Sequence, residues 1–320
     1  MTRDTSAWRR RGREEPPERP PRPSNYEFSK VTANFESAGE ECAGWLYRPD
    51  RPADPPVIVM AHGFAAERTF RLPTIAERFA ERGYAVYLFD YRNFGDSEGE
   101  PRNLVSPSRH VADWEAAVAR VRRVDDLDTT RLALWGTSFS AGHALVTAAG
   151  DRRVSAVVGQ VPFVDGRATI RAKPLSYVPK ALAAGIRDTL QSPLFGPHTV
   201  PVVGDPEEFA VLNEPGARSG YEELLPRGST WDNATPARIF LSLPRYRPIT
   251  HCADVTCPTL LLAGQHDEII PLSSVESAAE ALPDATLIRM PVGHFDVYSG
   301  EAFEQAFGHQ VTFLDSVLRD

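Results

Sequence analysis

The sequence has little cysteine. Three residues in 320, Cys42, Cys252 and Cys257, cannot all pair, and their spacing fits no zinc pattern. Neither a disulfide framework nor a metal site is expected, no cofactor is implied, and a reducing cytoplasm is the natural compartment. Long apolar runs are missing too: none approaches the roughly 18 residues that a membrane span requires. No export signal is expected either. Arg9-Arg10-Arg11 resembles the start of a twin-arginine leader, but Gly12 to Pro17 follow where an apolar stretch belongs. Basic charge is scarce in the body of the chain, because residues 1–25 hold seven arginines and four acids and leave 28 Lys and Arg against 39 Asp and Glu beyond them. So acidic a surface disfavours nucleic acid and anionic membrane as partners.

Proline is abundant instead: 28 residues, against a typical share of about 5%. Five of them fall in residues 1–25 and eleven in residues 163–250. The first segment, with Trp8 its one large apolar side chain besides Met1, is expected to be a disordered arm. The second interrupts an otherwise regular rhythm. Length is compatible with one large domain carrying an insertion or with two domains, and the proline map narrows this to an insertion at 163–250, between core segments 26–162 and 251–320.

The rhythm is strand, helix, strand. Pro56 to Ala61 is a continuous apolar run, as a strand buried on both faces should be, and Leu72, Ile75, Ala76, Phe79 and Ala80 follow at helical spacing. Ala85–Phe89 reads as the next strand, about 110–124 as a helix with Val111, Trp114, Ala117, Val118 and Val121 on one face, and Arg131–Trp135 as a strand. A third helix and a strand over 154–161 complete the first part. After the interruption come strand Thr259–Ala263, helix Val275–Leu282, strand Thr286–Met290 and a last helix from about Ala302 to Leu318. Such alternation implies an α/β fold with a mostly parallel sheet covered by helices on both faces.

Ligands of open parallel sheets bind beyond the carboxyl ends of the strands, so the residues after each strand matter most. After Trp135 comes Gly136-Thr137-Ser138-Phe139-Ser140-Ala141-Gly142. A serine on a small-residue turn between strand and helix suits a nucleophile elbow, in which the following N–H, that of Phe139, faces a developing oxyanion. Ser140 replaces the last glycine of G-x-S-x-G, and a shifted register would make Ser140 the nucleophile with Gly142 closing the motif; elbow geometry favours Ser138. A serine needs a base, and the base an orienting carboxylate. Gly264-Gln265-His266-Asp267-Glu268 and Gly293-His294-Phe295 follow the last two strands, which makes Asp267 and His294 the candidates, with Asp165 and Asp296 as rivals for the acid. His62 is read as a turn residue, and His143, His251 and His309 as structural. His62-Gly63-Phe64 follows the Pro56–Ala61 strand, and the Phe64 N–H is the candidate second oxyanion donor. The loop Asp90 to Ser97 is read as a brace beneath the site.

Taken together, His62-Gly63-Phe64, Asp90-Tyr91-Arg92 with Gly95 and Ser97, Gly136-Thr137-Ser138-Phe139, Gly264 with Asp267, and Gly293-His294-Phe295 resemble the α/β-hydrolase superfamily. Within it the chain looks similar to the dienelactone-hydrolase and acetylxylan-esterase neighbourhood and to the polyketide (acyl) transferases; the segments Leu134–His143, Pro236–Arg238 and Tyr246–Pro248 carry that similarity. A serine nucleophile, rather than Cys or Asp, departs from dienelactone hydrolase proper and from epoxide hydrolases and dehalogenases. The resemblance implies a helical lid where the insertion falls. Helices are expected near 168–172, 180–190, 207–212 and 234–243. Eight aromatics of the insertion, Phe195, Phe209, Tyr221, Phe240 and Tyr246 among them and Phe163, Tyr177 and Trp231 foremost, are candidates to line a substrate pocket. The expected activity is hydrolysis of an ester or thioester of a small acyl substrate through an acyl-enzyme. Acyl transfer in secondary metabolism is the alternative, and a cofactor-free perhydrolase or a non-catalytic scaffold lies further off.

Overall fold

The computed structural model describes residues 25–319; all of the expected arm but Asn25 lies outside them. The described chain opens with four strands that no apolar run marks, β1 (Phe28–Thr32), β2 (Phe35–Ser37), β3 (Glu40–Cys42) and β4 (Gly44–Pro49). Strands and helices then alternate through β5 (Pro56–Ala61), α1 (Leu72–Glu81), β6 (Ala85–Phe89), α2 (Pro107–Val121), β7 (Asp128–Thr137), α3 (Phe139–Gly150) and β8 (Ala156–Gln160). The insertion contributes α4 (Gly166–Ala172), α5 (Tyr177–Phe195), β9 (Thr199–Val200), α6 (Ala217–Glu222), β10 (Thr235–Pro236) and α7 (Ile239–Ser242), and the alternation resumes with β11 (Thr259–Gly264), α8 (Leu272–Ala281), β12 (Ala285–Met290) and α9 (Gly300–Leu318).

Eight strands form one sheet in the order β1-β4-β6-β5-β7-β8-β11-β12. The pairings β1 with β4 and β4 with β6 are antiparallel, and every other pairing in that sheet is parallel. Val57 to Ala61 of β5 are wholly inaccessible, which is why that strand carries no polar alternation. Helix α1 buries Leu72, Ile75, Ala76, Phe79 and Ala80, the row its spacing selects. Helices α3 and α9 both pack against β7 and β8, and α9 reaches α1 through Phe307 on Phe79, 4.9 Å between ring centres. Parallel strands bring the ends of β5, β7, β11 and β12 to a single edge. The three cysteines are buried and unpaired, and among the described residues no helix is long and apolar enough to cross a membrane.

Two helices expected in the insertion differ. Residues 207–212 are not helical: Val211 N–H donates to the Pro201 carbonyl and Leu212 N–H to that of Val202, and Tyr177 Oη donates to the Ala210 carbonyl. Those longer-range bonds take groups a helix would use and leave the segment as a turn and bends. In residues 234–243 the helix shrinks to Ile239–Ser242, because Thr235 and Pro236 pair with Val200 and Thr199 and the residue before a proline is driven to extended geometry. The helix of 168–172 begins at Gly166, and that of 180–190 runs from Tyr177 to Phe195.

Candidate active site

The turn from β7 into α3 forces Ser138 to φ 54°, ψ −121°, a conformation a non-glycine residue adopts only when its surroundings over-determine it. Gly136 is part of that constraint, since a Cβ there would lie 2.5 Å from backbone atoms of Ser140 and Ala141. Gly142 serves the other side of α3. A Cβ on it would lie 2.5 Å from the Phe163 carbonyl and 2.7 Å from Pro248, so its bare backbone lets the insertion approach the helix. Ser140 is fully buried and its hydroxyl accepts from Tyr91 Oη at 2.8 Å, Tyr91 in turn accepting from Trp114 Nε1 at 3.0 Å. That hydroxyl cannot reach a ligand.

His294 Nε2 lies 3.1 Å from Ser138 Oγ, and His294 Nδ1 lies 2.7 Å from Asp267 Oδ2. The other oxygen of Asp267 accepts from the N–H groups of Ile269 and Ile270 at 2.9 and 2.8 Å, which leaves the carboxylate one orientation. The rival acids are otherwise engaged: Asp165 caps α4 and holds Arg247 bidentately, and Asp296 accepts from Gly293 N–H. Glu268 is exposed. Gly63 abuts the elbow, where a Cβ would stand 3.3 Å from Ser138 Cβ, and the Phe64 and Phe139 N–H groups donate to no protein acceptor among the described residues.

His62 is not simply a turn residue. It is buried, and burial lowers its pKa to about 3. The neutral ring has Nδ1 3.0 Å from the Gly63 carbonyl, while Nε2 has no partner and stands 3.6 Å from Asp90 Oδ1. Asp90, its pKa raised by the same burial and pulled back by the Arg68 guanidinium, accepts from the Arg68 backbone N–H at 2.6 Å and pairs with its side chain. The Asp90–Ser97 loop thus anchors the far end of the loop that carries Phe64.

Beside Ser138 is a cavity that holds only about 30 Å³ of water-accessible space, room for about two waters. The core contributes Phe64, Phe70, Leu72, Phe295 and Tyr298 to its wall, and the insertion contributes Leu212, Tyr221 and Leu224. Of the three aromatics expected foremost, none is on the wall. Phe163 is buried between Phe139 and Tyr246, and Tyr177 packs on Phe209 and Phe240. Trp231 stands behind the wall against Phe70 and Tyr221, its Nε1 donating to the Ala65 carbonyl. Each ring finds a better partner in a neighbouring ring than in the cavity. Nothing local distinguishes Leu212 and Leu224 from the other leucines of the insertion, and Phe70 and Leu72 read as core of α1. Among the described residues no cluster of His, Cys, Asp and Glu is arranged to hold a metal ion.

A family model described as X-Pro dipeptidyl-peptidase (S15 family) matches residues 43–296. The chain belongs to that family. It is 38% identical over 296 residues, 92% of this chain and 97% of the relative, to the quorum-quenching protein AidA of Acinetobacter baumannii. It is 31% identical, over 88% of this chain and 91% of the relative, to the thiohydrolase aneE of Aspergillus aculeatus. Among solved structures, DcsB in complex with its substrate analogue matches with a TM-score of 0.80 at 25% identity, covering 92% of this chain and all of the other. This member of the S15 family is thus an α/β-hydrolase enzyme.

Proposed function

We propose that the chain hydrolyses an ester or thioester of a small acyl substrate, with Ser138 as nucleophile, His294 as base and Asp267 as its orienting acid. The hydrogen-bonded line from Asp267 through His294 to Ser138 carries this reading. With Nδ1–H donated to Asp267, His294 Nε2 is free to take the Ser138 proton as Oγ attacks the carbonyl carbon; the electron pair displaced onto the carbonyl oxygen is held by the Phe64 and Phe139 N–H groups. The tetrahedral intermediate collapses by expelling the alcohol or thiol, to which His294 returns the proton. Water then attacks the acyl-enzyme by the same route. Residues 163–250 act as a lid, a role supported by their three side chains on the cavity wall.

The wall supports an apolar acyl group more than a peptide. It includes no Asp or Glu, so nothing on it would neutralise the ammonium of a dipeptide. The thiohydrolase relative agrees with thioester chemistry. The largely apolar wall around Ser138 also favours a second reading, delivery of the acyl group to an alcohol or amine. Adding such acceptors during turnover separates the two, since transfer requires acceptor-dependent product. A cytoplasmic location belongs to the same proposal and is supported by three buried, unpaired thiols.

Activity-based labelling with a fluorophosphonate, followed by turnover of short p-nitrophenyl esters, tests the assignment. Ser138→Ala is expected to abolish both. Full turnover in Ser138→Ala with loss in Ser140→Ala would move the nucleophile by two residues and overturn it.

A further inference from the structure

The loop that carries the Phe64 N–H is short of internal support. Between Gly63 and Ala66 the one backbone bond is from Ala66 N–H to the Gly63 carbonyl at 3.4 Å, long for an N–H···O bond. Ala65 sits at φ +50°, a region that L-residues other than glycine leave when they can. The carbonyls of both residues point at the insertion and are capped from there: Tyr221 Oη donates to the Phe64 carbonyl at 2.8 Å, and Trp231 Nε1 to the Ala65 carbonyl at 2.9 Å. The two donors pack on each other, 5.0 Å between ring centres, and both pack on Phe70. Helix α6, which carries Tyr221, also meets the histidine loop. Gly220 lies so close to Phe295 that a Cβ would overlap its ring, and Phe295 follows His294. One short element of the insertion therefore touches the loop of the oxyanion donor and the loop of the base.

We propose that Tyr221 and Trp231 are positioning residues of the oxyanion hole, so that seating the insertion and assembling the hole are one event. This rests on the reading of the Phe64 N–H as an oxyanion donor. The carbonyl held by Tyr221 belongs to the peptide next to the one bearing that N–H. Rotation of the first peptide, which a strained Ala65 favours once its cap is gone, turns the second away from the substrate oxygen. With the insertion lifted, the hole loses a donor; with it seated on a substrate, the donor is aimed. The chemistry is then confined to the state in which bulk water is shut out.

The test is steady-state kinetics on p-nitrophenyl esters with the full-length protein, alongside the affinity of a boronic acid that mimics the tetrahedral intermediate. Loss of a whole oxyanion donor costs about 10²–10³-fold in kcat. Tyr221→Phe keeps the ring and removes only the hydroxyl, and misaiming the donor should lower kcat by about 10- to 100-fold with KM within about threefold. Boronate affinity should fall in parallel with kcat/KM. Trp231→Phe should act in the same direction more weakly, and the double variant should lose less than the product of the single losses, since both caps hold one loop. A Tyr221→Phe enzyme that keeps its kcat and its boronate affinity overturns the proposal. So does one whose KM alone rises, which would make Tyr221 only a substrate wall. Should Tyr221→Phe not fold, Trp231→Phe decides by the same readouts. Turnover surviving in Ser138→Ala would instead remove the reading of the site itself.

Discussion

In the core, β5 is inaccessible from Val57 to Ala61, and the one large apolar side chain left exposed among its described residues is Val31 of β1. In the insertion seven such side chains are exposed, all between Leu175 and Phe195. The two regions are also held differently. The core strands are joined by continuous backbone ladders, whereas the insertion relies on side-chain clamps. Asp188, fully buried, accepts from the N–H groups of His198 and Arg238 and from the Arg238 guanidinium. Lys173 Nζ pairs with Glu214 at 2.6 Å and donates to Asn213 at 2.7 Å. A ladder cannot yield at one bond without its neighbours, while a clamp can open alone. The fixed geometry of Ser138, Asp267 and His294 belongs to the first kind of construction, and the cavity wall from Leu212 to Leu224 to the second.

That contrast can be tested from both sides. On the core side, Asp267→Asn leaves the packing nearly unchanged but removes the carboxylate that fixes the His294 tautomer; a fall in kcat of about 10⁴-fold is expected, equal for every ester tried. On the insertion side, Asp188→Asn should weaken the clamp by about 2 kcal/mol. Hydrogen exchange should then speed up over Tyr177–Phe195 and remain slow in β5 and β7. Uniform acceleration would show that the two regions open together.

A third substitution separates chemistry from selectivity. Leu224→Ala should change the ratio of kcat/KM between short and long acyl esters by about tenfold while fluorophosphonate labelling of Ser138 proceeds as before. The smallest effect concerns the seam between the regions, where His143 of α3 lies 2.6 Å from Tyr246 Oη. Burial lowers the pKa of His143 from 6.5 to about 3. The unfolded chain therefore binds the proton more readily, and the stability due to the neutral ring is whole above pH 6.5 and declines as pH falls toward 3. In urea melts of the wild type and His143→Gln, the variant should lose less midpoint between about pH 6.5 and 4 than the wild type; equal slopes would contradict a buried neutral ring.

The legible parts of the chain are those whose signal is local. An apolar run marks β5, a spacing of three and four marks α1, and Gly136-Thr137-Ser138 marks a strand-to-helix turn, because each depends on residues within one turn or one strand. The candidates Ser138, Asp267 and His294 can be placed at one edge because parallel strands bring their ends together. The cavity wall is not legible. Residues 207–212 read as helix until Tyr177 Oη and the 201–203 segment take their backbone groups, and no local pattern announces a bond to a residue more than 30 positions away. Strands β1 to β4 escape for a related reason: β1 exposes most of its residues and has no run to show. His62 reads as a turn residue because its burial comes from Tyr91 and Phe94, which follow a different strand.

The three thiols have a use that their lack of partners does not suggest. Cys42 lies in β3, Cys252 after the insertion and Cys257 just before β11, and burial raises the pKa of each, to about 12 and 11 for the last two. Alkylation needs an exposed thiolate, so none should react while the core is shut. A maleimide added to the native protein would act as a clock for opening of the buried regions around these three thiols.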